Sequence, residues 1–389
     1  MTDLLYSETE DDLRATVRAL LADRAGHQTL LDRIETDDPY VPGLWKALAG
    51  DIGAAGLLVP ERLGGLGASH REAAVVLEEL GRAVTPLPYL TSAVVATETL
   101  LGLAGEGGGP AAELLAALAS GDRVAALAVP FSTAPPAPVG PLDDAGRAGS
   151  SGAAGSADAG APAGSAEPLG SSEPVRAVAD ASVADVLLVP RPDGLYAVAA
   201  GDVVLTPLTP LDLTRPLAVV DASGAAGTRL ADGDASRAAI RRGLLAGAGL
   251  LASEQLGLAE WCLEETVRHT RERHQFNRPV GSFQALKHRM AQLWLDVVGA
   301  RAAARAAADA LATGSPDAPL TVAVAQAYCS KVAVRAAEEC VQLHGGIGMT
   351  WEHPAHLALK RAKSDQIALG SAGRHQDAIA VLVDLPAPR

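Results

Sequence analysis

The sequence predicts a mainly α-helical protein with a central β domain, an α+β fold built from three successive parts. Helical periodicity covers about the first 120 residues, short β-branched runs bounded by Gly, Pro and Asp cover about 121–234, and helical periodicity then returns. We therefore expect an N-terminal α-helical domain over 1–120, a small β-barrel-like middle domain over 121–234 and a C-terminal four-helix bundle over 235–389.

Two capping boxes mark helix starts in the first part. Ser7 and Glu10 form the first pair, and Ser69 and Glu72 form the second. In each, the serine caps a backbone N–H and the glutamate caps the serine's own N–H, so each predicts where a helix begins. The glycine-rich stretch GLLVPERLGGLG between them predicts a connection.

The middle part contains strand-like runs such as RVAALAVP, DVLLVP and LAVVDAS. Residues 131–173 interrupt them and consist almost entirely of Ala, Gly, Ser, Pro and Asp. Such a composition buries too little apolar surface to offset the entropy of ordering, so we expect a disordered insertion.

The last part predicts four helices joined by short connections. The first covers about 236–273, the third covers TVAVAQAYCSKVAVRAAEECVQLH, and the fourth carries AKSDQIALGSAG at 362–373. The second has an apolar stripe at spacings of three and four, made of Phe283, Leu286, Met290, Leu293 and Val297.

Composition excludes several classes of protein. The net charge of −14 argues against nucleic-acid binding. Three scattered cysteines predict neither a disulfide framework nor a metal site. No apolar run is long enough to span a bilayer, and the acidic N-terminus MTDLLYSETEDD is unlike a signal peptide, so we expect a cytoplasmic protein.

Some residue types also indicate binding chemistry. Arg273 suits a pyrophosphate, although a solvated arginine at a helix end is equally ordinary. Gly345 and Gly346 leave backbone amides open to a ligand, or simply form a turn between helices. His344 by itself is expected to be structural.

Three segments together carry a family resemblance: DIGAAGLLVPERLGGLGASHREAAVVLEELGR, RERHQFNRPVGSFQALKHRMAQL and QLHGGIGMTWEHPAHLALKRAK. With the α–β–α order, they resemble the acyl-CoA dehydrogenase family of flavoproteins over nearly the whole chain outside 131–173. The resemblance implies an FAD cofactor, an acyl-CoA thioester substrate, and an electron-transfer flavoprotein or similar acceptor. It also implies a homo- or hetero-oligomer, because family members contact the FAD of a neighbouring subunit.

The resemblance assigns cofactor contacts residue by residue. An arginine and the residues after it hold the FAD pyrophosphate, a glutamine follows at the next helix, and a Q-x-x-G-G segment meets the adenosine half. These positions are Arg273, Gln275, Phe276, Gln284, Gln342, Gly345 and Gly346.

The family's catalytic base is where this sequence departs from the pattern. A glutamate normally takes the substrate's α proton while the β hydride passes to flavin, but Leu369 stands at its position. A minority of members carry the base on the first bundle helix, near Gly247 here. Glu254 and Asp365 are the remaining candidates, and the favoured interpretation of Glu254 is a surface charge. We expect the Leu369 N–H, which in the family polarises the thioester carbonyl, to remain available.

A second departure is the absence of the T-E-x-x-x-G-S-D-like loop that packs against flavin and acyl chain. The sequence therefore resembles actinobacterial members that form heteromers, in which a subunit without the base completes the FAD site of a catalytic paralogue. The alternatives are a self-sufficient flavoenzyme with a relocated base, a different flavin oxidation chemistry, and a non-catalytic scaffold.

Overall fold

The N-terminal part is helical, as predicted. In this computed structural model residues 4–36, 38–105, 108–136 and 173–386 are described, so the predicted disordered insertion lies outside the described residues except at its ends. The first five α-helices are α1 (Glu8–Arg24), α2 (His27–Arg33), α3 (His70–Ala83), α4 (Thr97–Leu101) and α5 (Pro110–Ala119).

Both predicted capping boxes are confirmed. The Ser7 and Glu10 side chains cap each other's backbone N–H groups at the start of α1. Ser69 and Glu72 do the same at the start of α3. A π-helical segment, Tyr89–Ala96, leads into α4 and is buried throughout.

The middle part is a β region whose described strands form two main sheets. One sheet has the strand order β1-β3-β4-β7 and the other has the order β2-β6-β5. β1 pairs with β3 in parallel, and the remaining pairs in both sheets are antiparallel. The strands are β1 (Ala125–Leu127), β2 (Val175–Ala179), β3 (Val186–Arg191), β4 (Gly194–Ala199), β5 (Val204–Leu208), β6 (Leu217–Asp221) and β7 (Thr228–Asp232).

Long helices return after β7, as predicted. A two-stranded hairpin of β8 (His274–Gln275) and β9 (Arg278–Pro279) separates the first two of them. The predicted fourth helix is divided by a bend at 366–371 into two shorter helices. The C-terminal helices are α6 (Gly233–Glu272), α7 (Gln284–Ala312), α8 (Ala318–His344), α9 (Ala355–Asp365) and α10 (Ala372–Leu382).

The central helix α6 joins the N-terminal helices to the bundle. A Cβ on Gly81 of α3 would lie 2.0 Å from the Glu254 carbonyl oxygen, and a Cβ on Gly257 of α6 would lie 1.8 Å from that of Glu78. These two glycines therefore allow α3 and α6 to cross in backbone contact. Among the described residues, no helix combines the length and the apolarity needed to cross a membrane.

Candidate functional site

Leu369 lies in the bend between α9 and α10, at the position where the resemblance places the base. Its side chain is 3% exposed, and its backbone is left-handed with φ 51°. Its N–H donates a hydrogen bond of 2.8 Å to the carbonyl oxygen of Phe131. The expectation that this amide remains available is therefore wrong, because the chain leaving β1 folds back and occupies it.

Gly247, the alternative base position, faces Leu369 from α6. A Cβ added to Gly247 would lie 3.1 Å from Cδ1 of Leu369. The two positions at which the family places its base are thus neighbours in space, and neither carries a proton acceptor. This proximity supports the sequence register used for both positions.

The space around Leu369 is nearly filled. A cavity of about 20 Å³ remains there, which holds about one water molecule and no acyl chain. A larger groove of about 430 Å³ is lined by residues of α6 alone, none of which lines the cavity beside Leu369. The cavity beside Leu369 is lined by Thr91, Val95, Leu127, Val129, Pro130, Phe131, Ala179 and Leu244.

Glu254 is not a surface charge but a member of a buried ion cluster, which we define as Asp212, Arg215, Glu254, Arg361 and Asp365. Arg361 donates to Glu254 Oε1 over 2.6 Å and also to Asp212, and Arg215 donates to the same Glu254 oxygen. Two guanidinium groups thus hydrogen-bond to one carboxylate oxygen of Glu254 and hold this side chain within the ion cluster, outside the lining of the Leu369 cavity.

Asp365 is the member of the buried ion cluster whose carboxyl group has the fewest compensating contacts. It is 0% exposed, and neither carboxyl oxygen has a hydrogen-bond partner. The nearest cation is Arg215, with Nη1 3.6 Å from Oδ1. Burial and the charge of Glu254 raise the pKa of Asp365 to about 8. An aspartic acid holding its proton at neutral pH does not accept another from a substrate.

The buried ion cluster connects the middle β region to the C-terminal helices, and sequence reasoning missed its two arginines and Asp212. Asp212 and Arg215 lie between β5 and β6, Glu254 lies on α6, and Arg361 and Asp365 lie on α9. The Arg215 guanidinium also stacks over the Phe131 ring at 5.0 Å, beside the Leu369 cavity. Asp212 and Arg215 lie in a connection between strands and the other three residues lie on two helices, so no shared local pattern marks the cluster in the sequence.

The predicted pyrophosphate contacts lie on the hairpin after α6. Gln275 pairs with Arg278 across a two-residue turn in which Phe276 and Asn277 both have positive φ, 53° and 62°. Positive φ at both turn residues matches the right-handed twist of a tight hairpin. Arg273 and Gln275 are exposed, and Phe276 is 86% exposed at the tip.

The predicted adenosine contacts lie where α8 ends. Gln342, Gly345 and Gly346 are exposed, and a Cβ added to either glycine would meet no atom within 4 Å. Gly345 has φ +65°, which a residue with a side chain rarely adopts. The Gly345 N–H donates to the Gln342 carbonyl oxygen, so this amide is not open to a ligand. The exposed surface around the two glycines fits the adenosine side of FAD, whereas the filled Leu369 cavity does not fit its flavin ring or an acyl chain.

The two exposed segments lie at the same end of the bundle. The rings of His269, one turn before Arg273, and His344, just before Gly345, have centroids 4.3 Å apart. Gln284, exposed in the first turn of α7, follows the hairpin directly. The hairpin after α6, the first turn of α7 and the end of α8 thus expose the predicted FAD contacts at one end of the bundle.

Comparison with known proteins agrees with the fold and the motifs. Residues 7–122 match the acyl-CoA dehydrogenase N-terminal domain, and residues 237–382 match the acyl-CoA dehydrogenase C-terminal domain. The chain is 33% identical over 366 residues to acyl-CoA dehydrogenase IpdE2 of Mycolicibacterium smegmatis, covering 94% of this chain and 95% of that protein.

Two solved structures are also similar. The ChsE4-ChsE5 complex from Mycobacterium tuberculosis matches with a TM-score of 0.76 and 27% identity, over 99% of this chain and 100% of that one. A variant of the Tcur3481-Tcur3483 steroid ACAD matches with a TM-score of 0.76 and 25% identity, over 97% and 98% of the respective chains. The chain therefore belongs to the acyl-CoA dehydrogenase family of oxidoreductases.

Proposed function

We propose that this chain is the base-lacking subunit of a heteromeric, FAD-dependent acyl-CoA dehydrogenase. The observation that carries the proposal is the contrast between the cavity around Leu369 and the surface of the predicted adenosine contacts. The pocket where a substrate would meet its base is closed around Leu369, with about 20 Å³ left. The surface predicted to hold the adenosine side of a flavin is open and exposed.

In this proposal the chain binds the nucleotide end of the FAD that is held by a paralogous subunit. The Arg273 guanidinium neutralises the pyrophosphate with charge-assisted hydrogen bonds. The backbone at Gly345 and Gly346 can lie close to the adenosine half, because no Cβ stands in the way. Bound FAD supplies the acceptor for the substrate's β hydride.

The paralogue supplies the substrate pocket and the glutamate that takes the α proton. An acyl-CoA thioester is the substrate, and an electron-transfer flavoprotein or similar carrier reoxidises the flavin. Support comes from the two similar structures, which are described as the ChsE4-ChsE5 complex and the Tcur3481-Tcur3483 steroid ACAD. A steroid-derived acyl-CoA is the substrate class that the second of these favours.

The structure favours this proposal over a self-sufficient enzyme with a relocated base. Two arginines hydrogen-bond to Glu254 within the buried ion cluster, and the pKa of Asp365 is raised to about 8. Neither residue lines the Leu369 cavity. A dehydrogenase needs a carboxylate that faces the substrate, and neither residue meets that condition.

The test compares flavin binding by two arginine variants of the purified complex. Arg273→Ala should weaken FAD binding by roughly 10–100-fold, the loss expected for a hydrogen bond to a charged group at about 1.5–3 kcal/mol. Arg271→Ala is the matched control, because Arg271 is an exposed arginine two residues earlier and is assigned no contact. It should leave FAD affinity unchanged.

Two results would overturn the proposal. Equal FAD affinity in the Arg273 and Arg271 variants would remove the assigned role of Arg273. Dehydrogenase activity of this chain purified alone, with one flavin bound to every chain, would show that the closed pocket opens and that no catalytic partner is required.

A further inference from the structure

Three side chains that the proposed function does not use converge beside the end of α8. They are Glu265 on α6, His344 at the last residue of α8, and His353 in the connection before α9. Each offers one metal-ligand atom, and the three atoms lie within 4.8 Å of one another. Nε2 of each histidine is 3.7 Å from Oε1 of Glu265.

His344 has a free lone pair inside this cluster. Its side chain is 0% exposed, and its Nδ1 lies 2.6 Å from the backbone carbonyl oxygen of Cys340. A carbonyl oxygen only accepts, so Nδ1 carries a proton, and in the neutral ring Nε2 then keeps its lone pair. That Nε2 atom is buried and has no hydrogen-bond partner.

This arrangement is the one that metal-binding histidines adopt. The ring nitrogen away from the metal donates to a carbonyl, which fixes the tautomer and directs the other nitrogen at the ion. An unpartnered buried nitrogen is otherwise costly, because the group loses water and gains nothing. An ion between the three side chains would satisfy it.

The geometry is close to what a small divalent ion needs. Zinc bonds to nitrogen and oxygen of ~2.0–2.1 Å place tetrahedral ligand atoms ~3.4 Å apart, near the observed 3.7 Å separations. Two neutral imidazoles and one carboxylate are a common zinc ligand set, with water in the fourth position. We propose that Glu265, His344 and His353 bind one divalent transition-metal ion, with Zn²⁺ the best fit.

Two existing contacts change on binding. Arg268 donates to both oxygens of Glu265. Its side chain is 57% exposed and also pairs with Glu272, so Arg268 keeps an ion-pair partner when the Glu265 carboxylate rotates towards the metal. His353 Nδ1 accepts from the Ala355 N–H over 3.2 Å. Ligation through Nε2 requires the other tautomer and gives up that hydrogen bond.

The ion would connect α6, the end of α8 and the 345–354 connection at one point. This role is independent of catalysis, and the proposal does not rest on the proposed function. Its consequence is mechanical, because the cross-link fixes the segment that begins with Gly345 and Gly346.

The experiment titrates the chelator-treated full-length protein with ZnCl₂ and, separately, with CoCl₂. We expect one ion per chain, visible absorption from bound Co²⁺, and a higher melting temperature with metal than without it. Glu265→Gln and His353→Ala, both partly exposed positions, should each weaken binding by more than the roughly 10–100-fold typical of outer-shell partners. His344→Ala should abolish it.

His288→Ala is the matched control, because His288 is an exposed histidine on α7 outside the cluster. It should bind metal as the wild type does. The proposal is overturned if the wild type binds no stoichiometric metal, or if the Glu265 and His353 variants bind as tightly as the wild type. The second outcome would mark the bound metal as surface-associated.

Discussion

Placing a glutamate at position 369 tests whether the base is all that the closed site lacks. Leu369→Glu puts the family's base at its usual position. We expect no dehydrogenase activity from this chain alone, because Phe131 occupies the amide at 369 and the remaining cavity is about 20 Å³. We expect instead a loss of stability.

The magnitude follows from the surroundings of the side chain. Replacing the two terminal methyl groups removes about 1.6 kcal/mol of apolar burial, at about 0.8 kcal/mol per carbon. An unpartnered buried carboxylic acid costs about 1–3 kcal/mol more. Thr91, the polar side chain in the lining, already donates to Asp180 over 2.7 Å. The free energy of unfolding should therefore fall by about 3–5 kcal/mol.

Urea denaturation measures the stability, and a dye-coupled dehydrogenase assay measures the activity. Leu369→Met is the matched control, because it conserves volume and should cost less than about 1.5 kcal/mol. If Leu369→Glu gives the isolated chain dehydrogenase activity at unchanged stability, the reasoning from the closed cavity is refuted.

Three further predictions concern stability. Arg361→Met leaves Asp212 and Glu254 short of a buried cation and should cost about 3–5 kcal/mol in urea denaturation; a cost below about 1 kcal/mol would contradict the importance of the buried ion cluster. The pKa of Asp365 is raised to about 8 by burial and the charge of Glu254, so the folded state holds a proton that the unfolded chain releases, and this contribution to stability is lost as pH rises from about 4 to about 8. The free energy of unfolding of Asp365→Asn relative to the wild type should then increase by up to about 1.4 kcal/mol per pH unit across that window. A difference between the two proteins that is the same at pH 5, 6 and 7 would disprove it. Ser7→Ala removes the cap of α1 and should cost about 1 kcal/mol, measured in the same way, with no change expected in FAD binding.

Local chemistry explains what the sequence predicted well. The capping boxes at Ser7 and Ser69 depend on residues three apart, so their geometry follows from the pattern alone. The predicted helical and β parts follow from periodicity, and the structure confirms them. The register that placed Leu369 and Gly247 at base positions came from the family resemblance, and the structure places these two residues together.

Contacts between distant segments explain what was missed. Arg361 and Asp212 are 149 positions apart, and no local pattern predicts that they meet. The Leu369 amide was expected to be free. Its acceptor, the Phe131 carbonyl, comes from the chain leaving β1, and no pattern near Leu369 predicts that this segment reaches it. The convergence of Glu265, His344 and His353 likewise requires α6, α8 and the connection before α9 to be placed in space.

We propose that this chain completes a flavin site in a paralogous subunit and has no working site of its own. The most direct measurement is the ratio of FAD to chains in the purified complex with a co-expressed paralogue, together with the flavin content of this chain alone. We expect fewer flavins than chains in the complex and none retained by this chain alone. One flavin for every chain, in the complex and in the isolated subunit, would contradict it.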